Sequence, residues 1–417
     1  MKHKTTLIAW ALSAALLAPA ATAMDNNPAA DSTNELGLDL YRLFSAEPGN
    51  LCLSPYSIQS AFAMTTNGAA GKTLEEMRSV LRYPQDLAAL NASFSALAGD
   101  FLKRHERAVA WTKRTGKGEP AFQLMVANRL FGQKGYPFVP AFLKTLEVSY
   151  LAPLQTADFE GNPNGERKTI NDWVEEQTRK RIKDLLPDGA ITGDTRLVLV
   201  NALYFKAVWQ HKFPKSATTP EPFHLAPEKQ VDADTMRVTK RFGYSKEDGY
   251  TALTLPYSAG FAMLILVPDE IDGLAAVARK LNAEKLSSLA RLSTKDVSLH
   301  FPKFKIEGGT VPLKKSFAKL GMKLAFDKKL ADFGPMTSDK SLPGLYIDDA
   351  YHKTFIAVDE DGTEAAAATA VVMATKSAMR PAPEKPVEVR IDRPFFYAVM
   401  DTRSGTALFL GRVADPR

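Results

Sequence analysis

Cysteine is nearly absent: Cys52 stands alone among 417 residues. No intrachain disulfide can form, whatever the compartment, and the flanking Leu51 and Leu53 predict a buried, inert thiol rather than a reactive one. Histidine is almost as scarce, with six scattered residues, and there is no G-x-S-x-G, no H-E-x-x-H and no pair of cysteines. Nothing therefore reads as a catalytic constellation, and no metal or cofactor is expected. Gly71-Lys72-Thr73 ends like a phosphate cradle but lacks the glycine five residues earlier, where Thr66 stands. A capping box, Thr73 with Glu76 at the start of a helix, is predicted there instead.

A long hydrophobic run is missing as well. The apolar stretch Leu7 to Leu17 is too short to span a bilayer. Preceded by Lys2 and Lys4 and followed by Ala21-Thr22-Ala23, it has the order of a secretory signal peptide cleaved after Ala23. Residues 1–23 are thus expected to be removed and residues 24–417 to be secreted or periplasmic. Without the leader, 51 basic residues face 47 acidic ones, a balance that implies neither nucleic acid nor membrane as partner.

What is present suits a globular core: 45% hydrophobic and 24% charged residues. Length alone suggests two or three domains. After a polar Met24 to Ser32, apolar residues at helical spacing predict a first helix over Asn34 to Phe44. A strand and then a helix entered at Ser54-Pro55 follow within Asn50 to Met64, with Ser57 in the first turn. Lys103, Arg104, Arg107, Lys113, Arg114 and Lys117 accumulate around Trp111, either a solvated face or a polyanion site. Phe122 to Gly132 reads as a strand covered on both faces. Helical spacing resumes at Phe138 to Val148 and again at Ile170 to Leu186, where Pro187 ends it. Leu197 to Phe213 is an apolar strand containing Asn201, a buried amide that must find partners. Strand patterns return at Ala252 to Val267 and Val297 to Ile306. A C-terminal hairpin turns at Ser404-Gly405.

The stretch Val358 to Pro386 is the oddest in the chain. Asp359, Glu360, Asp361, Gly362 and Thr363 lead into Glu364, Ala365, Ala366, Ala367, Ala368 and Thr369. Such small residues carry little side-chain entropy and tolerate a helix, a coil or a slot between two strands. A surface helix or Ala-rich linker is the plain reading. At period two, however, Thr363, Ala365, Ala367, Thr369, Val371 and Met373 share one face and Glu364 falls on the other. Lys376 before the small Ser377 looks like bait for a trypsin-like protease, whereas Arg380 precedes Pro381, a poor geometry for cleavage.

These residues resemble the reactive-centre loop of the serpin family, with the acid-acid-Gly-Thr-Glu-Ala-Ala hinge of inhibitory members. Asn201, Phe205, Lys206 and Trp209 match the family's Asn-x-x-x-Phe-Lys-x-x-Trp strand, and Asp392-Arg393-Pro394-Phe395-Phe396 matches its C-terminal signature. The resemblance covers nearly all of the chain after Ser32. It implies an α+β serpin fold: one large domain with a central mixed β-sheet, further sheets, about nine helices and an exposed loop within 358–386. Counting from Glu360, the usual hinge length places the attacked bond at Lys376-Ser377. Lys376 to Pro394 is longer than is typical.

The resemblance further implies that Ser54, Ser57, Asn201, Trp209, Lys303 and His352 belong to the region where the sheet opens. His352 would hydrogen-bond with Asn201 and the serines, and Lys303 would pair with Glu360. The helix containing Trp173 would lie across the sheet. The expected protein is not an enzyme but a monomeric suicide inhibitor, forming a covalent one-to-one complex with a trypsin-like serine protease. The basic cluster near Trp111 would be the place for a polyanion. The other readings are a non-inhibitory serpin-fold carrier or binding protein, and an inhibitor of elastase-like or cysteine proteases using Thr375 or Met373.

Overall fold

The structure, a computed structural model, describes residues 27–116, 118–339, 344–364 and 385–417. The leader, Lys117, Ala365 to Thr369 and the Lys376-Ser377 bond lie outside the described residues. The first helix begins earlier than its apolar spacing predicts. α1 spans Pro28–Phe44, because the Asn27 side chain accepts the Ala29 and Ala30 amides at 3.1 Å and Pro28 has no amide to leave unpaired.

The other helices are α2 Pro55–Thr66, α3 Gly71–Leu81, α4 Leu87–Thr115, α5 Pro140–Tyr150, α6 Pro163–Gln177, α7 Leu274–Lys280, α8 Ala283–Leu289 and α9 Lys314–Leu320. α2 is buried all round, as befits a helix with no charged residue. The capping box expected at α3 does not form. Ala70 occupies the N-cap position without a side-chain bond. Thr73 instead accepts the Asp332 amide at 2.9 Å, and Glu76 accepts those of Lys323 and Leu324. Both residues tie α3 to a distant loop.

The first strands are β1 Leu51–Leu53, β2 Phe122–Gln133, β3 Gln155–Ala157, β4 Leu197–Val208, β5 Thr219–Ala226, β6 Lys229–Glu247, β7 Tyr250–Pro256 and β8 Phe261–Pro268. They are followed by β9 Thr294–Pro302, β10 Phe304–Glu307, β11 Val311–Pro312, β12 Ala350–Val358, β13 Gly362–Thr363, β14 Val387–Arg390, β15 Phe395–Asp401 and β16 Ala407–Val413. Among the described residues they form two sheets. The central one has the order β10-β12-β13-β4-β2-β3, with β11 beside β12; the other runs β1-β16-β15-β8-β7-β6-β9-β14, with β5 beside β6. The 19-residue β6 makes the second sheet continuous, pairing in turn with β5, β9 and β7. This is an α+β fold in one domain, with nine α-helices among the described residues.

The main core lies between the sheets and includes the buried Cys52. Burial pushes the Cys52 thiol up to about 11, so it stays protonated. A smaller cluster lies on the other face of the central sheet, where Ile170 and Val174 of α6 meet Ala127, Phe131, Val200 and Ala202. α6 ends at Gln177 rather than Leu186. Thr178 caps the Val174 carbonyl with its hydroxyl at 2.7 Å, and Asn171 is bonded both ways to Leu186. The chain then folds back beneath the helix.

Candidate functional site

Three strands of the central sheet place three polar side chains in one row. β2 and β4 bring Asn128 opposite Asn201, and the parallel pairing of β12 with β4 brings His352 opposite Asn201. His352 is 1% exposed. Its Nε2 accepts the Ser54 amide at 3.1 Å, which leaves Nδ1 to carry the proton and donate to Asn201 Oδ1 at 2.7 Å. Asn201 Nδ2 donates to Asn128 Oδ1 at 3.3 Å, and the same oxygen accepts the Ser57 hydroxyl at 2.8 Å. Asn128 Nδ2 returns a bond to the Ser57 carbonyl, and Ser54 donates to the Leu408 carbonyl. The network ties α2 to three strands of the central sheet and to β16 of the other, with its buried polar groups partnered. Asn128 carries the same signal as Asn201, an amide within an apolar strand, but shares β2 with the buried Gln123 and Gln133, so composition does not single it out.

Burial drives the His352 pKa down to about 3, so the ring is neutral. The unfolded imidazole titrates near ~6.5. The folded value being depressed, the contribution of the neutral ring is complete above that pH and is lost progressively as pH falls toward 3. His352→Leu is expected to destabilise the protein at pH 7.5 by about 1–3 kcal/mol, because the Ser54 amide and Asn201 lose partners. The gap between variant and wild type should narrow at pH 5, measured as heat-inactivation half-lives. An unchanged gap would show that the ring does not titrate on opening.

Trp209 and Lys303 do not join this row. Trp209 lies eight residues beyond Asn201, about 26 Å along an extended chain, and both sit instead around the acidic turn after β12. The Trp209 indole donates to the Asp359 carbonyl at 2.9 Å, and its amide donates to the Asp361 carbonyl at 2.9 Å. The indole also stacks on Tyr257 with ring centres 4.0 Å apart. Lys303 pairs with Glu360 at 3.3 Å, and Thr218 donates to the same carboxylate at 2.8 Å. Burial raises the Glu360 pKa, but its hydrogen bonds and Lys303 outweigh that and hold it below the usual range. Asp361 is treated the same way by Lys212 at 2.7 Å and Lys215 at 3.3 Å, a pairing with no sequence signal.

Beyond this turn the chain re-enters the sheet. β13 is antiparallel to both neighbours, with Thr363 opposite Val358 of β12 on one side and Ala207 of β4 on the other. Gly362 adopts φ +151°, and a Cβ there would lie 2.1 Å from the Ala207 carbonyl oxygen. Only glycine allows this approach. Thr363 is 1% exposed, its hydroxyl 2.5 Å from the Tyr257 hydroxyl. Glu364 points to the opposite face and pairs with Arg181. Below Thr363, β4 and β12 diverge after the Leu203–Thr354 pair. The resulting cleft, about 550 Å³, is lined by Tyr204, Lys206, Phe355, Ala357 and Glu364 among others. A strand continuing from Glu364 would run into it.

Of the basic cluster, Lys103, Arg107, Lys113 and Arg114 are exposed on α4. Arg104 must be removed from the exposed set. The helical period turns it inward, 3% exposed, onto Asp401 at 2.8 Å and the Phe261 ring.

The family model described as "Serpin (serine protease inhibitor)" matches residues 31–416. An uncharacterized serpin-like protein of Thermococcus kodakarensis is 36% identical over 392 residues, 94% of this chain and 86% of that protein. The leukocyte elastase inhibitor of Bos taurus is 38% identical over 378 residues, 88% of this chain and 93% of the relative. Among solved structures, Serpin48 of the insect Tenebrio molitor, described as highly specific, superposes with a TM-score of 0.78 at 29% identity. It covers 94% of this chain and 100% of its own.

Proposed function

The chain belongs to the serpin family, and from that premise we propose that it is an irreversible suicide-substrate inhibitor of trypsin-like serine proteases. The observation that carries this reading is the position of Gly362 and Thr363, hydrogen-bonded between β4 and β12 at the mouth of an open cleft. A loop cleaved beyond this point can continue into the sheet without first finding the slot. The protease serine attacks the Lys376 carbonyl, and the Ser377 amine leaves with a proton, giving an acyl-enzyme ester. Insertion of residues 364 to 376 between β4 and β12 then drags the attached protease away before water can cleave the ester.

The network through His352 and Asn201 is the lock that keeps β4 and β12 together below the cleft. Lys303, Lys212 and Trp209 fix the turn from which the hinge departs. No described helix is long and apolar enough to cross a membrane. In this reading residues 1–23 are an export signal and residues 24–417 act outside the cytoplasm as a monomer. The exposed bases of α4 offer a surface to polyanions.

Mixing the protein with trypsin should give a covalent band on a denaturing gel and a released peptide beginning at Ser377 by mass spectrometry. The bovine relative bears the name of an elastase inhibitor, so elastase is the second protease for the same gel. Trapping with a peptide beginning after Met373 or Thr375 would move the bait residue. Cleavage by both proteases without a covalent band would overturn the inhibitory reading.

A further inference from the structure

The inward-facing stripe of α4 that removes Arg104 from the surface creates a cleft elsewhere. Arg104, Ala108 and Trp111 follow one another at helical spacing and face the start of β2, the turn between β7 and β8, and the turn between β15 and β16. Together with Arg107, Ala121, Phe122, Ser258, Ala259 and Arg403 they enclose about 310 Å³, at the lower end of the ~300 to 1,000 Å³ range of ligand sites. The walls are built rather than loose. Ser258 donates to the Ala121 carbonyl at 2.9 Å, and Arg104 donates to the Ala259 carbonyl at 3.0 Å.

The floor is apolar and the rim is cationic. Trp111 is 46% exposed, although it is among the largest apolar side chains of the protein. Arg104 is spoken for by Asp401 at 2.8 Å and Asp100 at 2.7 Å, with its guanidinium over the Phe101 and Phe261 rings. Arg403 leans on Asp100 at 3.4 Å. Arg107 is exposed and has no acid partner among the described residues. Three guanidinium groups thus face two carboxylates, and the uncompensated charge sits beside a half-bare indole.

We propose that this cleft binds one small aromatic anion, a carboxylate or sulfonate on a ring system, with the ring against Trp111 and the apolar floor and the anion on Arg107. An aromatic body matches the flat indole of Trp111 and the apolar lining that includes Ala108 and Phe122. A carboxylate or sulfonate supplies the charge-assisted hydrogen bonds that Arg107 lacks. The ligand is distinct from a polyanion spread along α4, because the apolar floor would contribute nothing to the latter.

The test is a calorimetric titration of the whole protein with naphthalene sulfonate as probe. One saturable site is expected, weakened at least tenfold by Arg107→Gln and abolished by Ala108→Trp, which fills the cleft. Neutral naphthalene methanol should bind at least tenfold more weakly. Lys103→Gln and Arg114→Gln should leave the affinity unchanged, since neither residue lines the cleft. Probe binding unaffected by Arg107→Gln and Ala108→Trp would overturn the proposal. So would equal binding of the neutral compound, equal weakening by Lys103→Gln, or the absence of a saturable site. Arg107 is a surface residue, so its variant keeps the test decisive if Ala108→Trp fails to fold.

Discussion

Thr363→Arg is expected to turn the protein from a trap into a substrate: trypsin still cleaves the loop, and the covalent band disappears. In the native structure Thr363 is buried at 1% exposure with its hydroxyl on that of Tyr257. Tyr257 is itself fully buried and stacked on Trp209. The partner waiting for that side chain is the Tyr257 hydroxyl rather than a carboxylate, so an arginine there would be a buried charge without an ion-pair partner, a cost of several kcal/mol. The hinge of the variant is therefore held out of the sheet before cleavage, and after cleavage insertion must start with the residue that cannot enter. Each ~1.4 kcal/mol added to that barrier slows insertion tenfold, and hydrolysis of the acyl-enzyme proceeds unhindered. Undiminished trapping by Thr363→Arg would refute the mechanism. Glu364→Gln is the control. Its side chain faces Arg181 on the other side of the sheet, and trapping should fall by no more than about threefold.

Asn201 could be singled out because a polar side chain in an apolar strand has to be partnered, whereas His352 and the serines as its partners were implied only by the resemblance to serpins. Asn128 carries a similar signal in β2, but strand register, which no single strand reveals, is what sets it opposite Asn201. The expected capping box failed for a related reason. Thr73 and Glu76 have the right spacing, but the Asp332, Lys323 and Leu324 amides, all about 250 residues away, compete successfully for their oxygens. Arg104 shows the limit of reading charge by counting, because the five bases of α4 from Lys103 to Arg114 are spread around the helix, and Arg104 and Lys113, nine positions apart, point to opposite sides. The hinge composition pointed to a segment able to enter a slot. That Thr363 already stands in it depends on the contact between Gly362 and Ala207, which belongs to the three-dimensional arrangement alone.

Cleavage of the loop should raise the melting temperature by on the order of 20 °C or more, a reversal of the usual effect of proteolysis. The cleft between β4 and β12 already exposes the edges to which a new strand would bond, from Tyr204 to Lys206 on one side and from Phe355 to Ala357 on the other. Each ladder hydrogen bond gained is worth about 0.5–1.5 kcal/mol net, and burial of Val371 and Met373 adds about 1.5–3 kcal/mol apiece. Over a dozen inserted residues the gain rivals a whole folding free energy of ~5–15 kcal/mol. At roughly 2 °C per kcal/mol for a large domain, the shift is tens of degrees. On the proposed mechanism the intact protein forgoes this gain because the loop is tethered at both ends, at Thr363 in the central sheet and at β14 in the other. On the same mechanism it is therefore held by kinetics rather than by equilibrium. Calorimetry before and after limited digestion by a protease that is not trapped measures the shift directly. A melting temperature that stays constant or falls would mean that the cleaved loop does not enter the sheet, and would leave the serpin fold of this chain without its inhibitory mechanism. A large rise together with loss of the covalent band in Thr363→Arg would place the kinetic step at the hinge, since that variant forfeits the race with hydrolysis but still has the rest of the slot to fill.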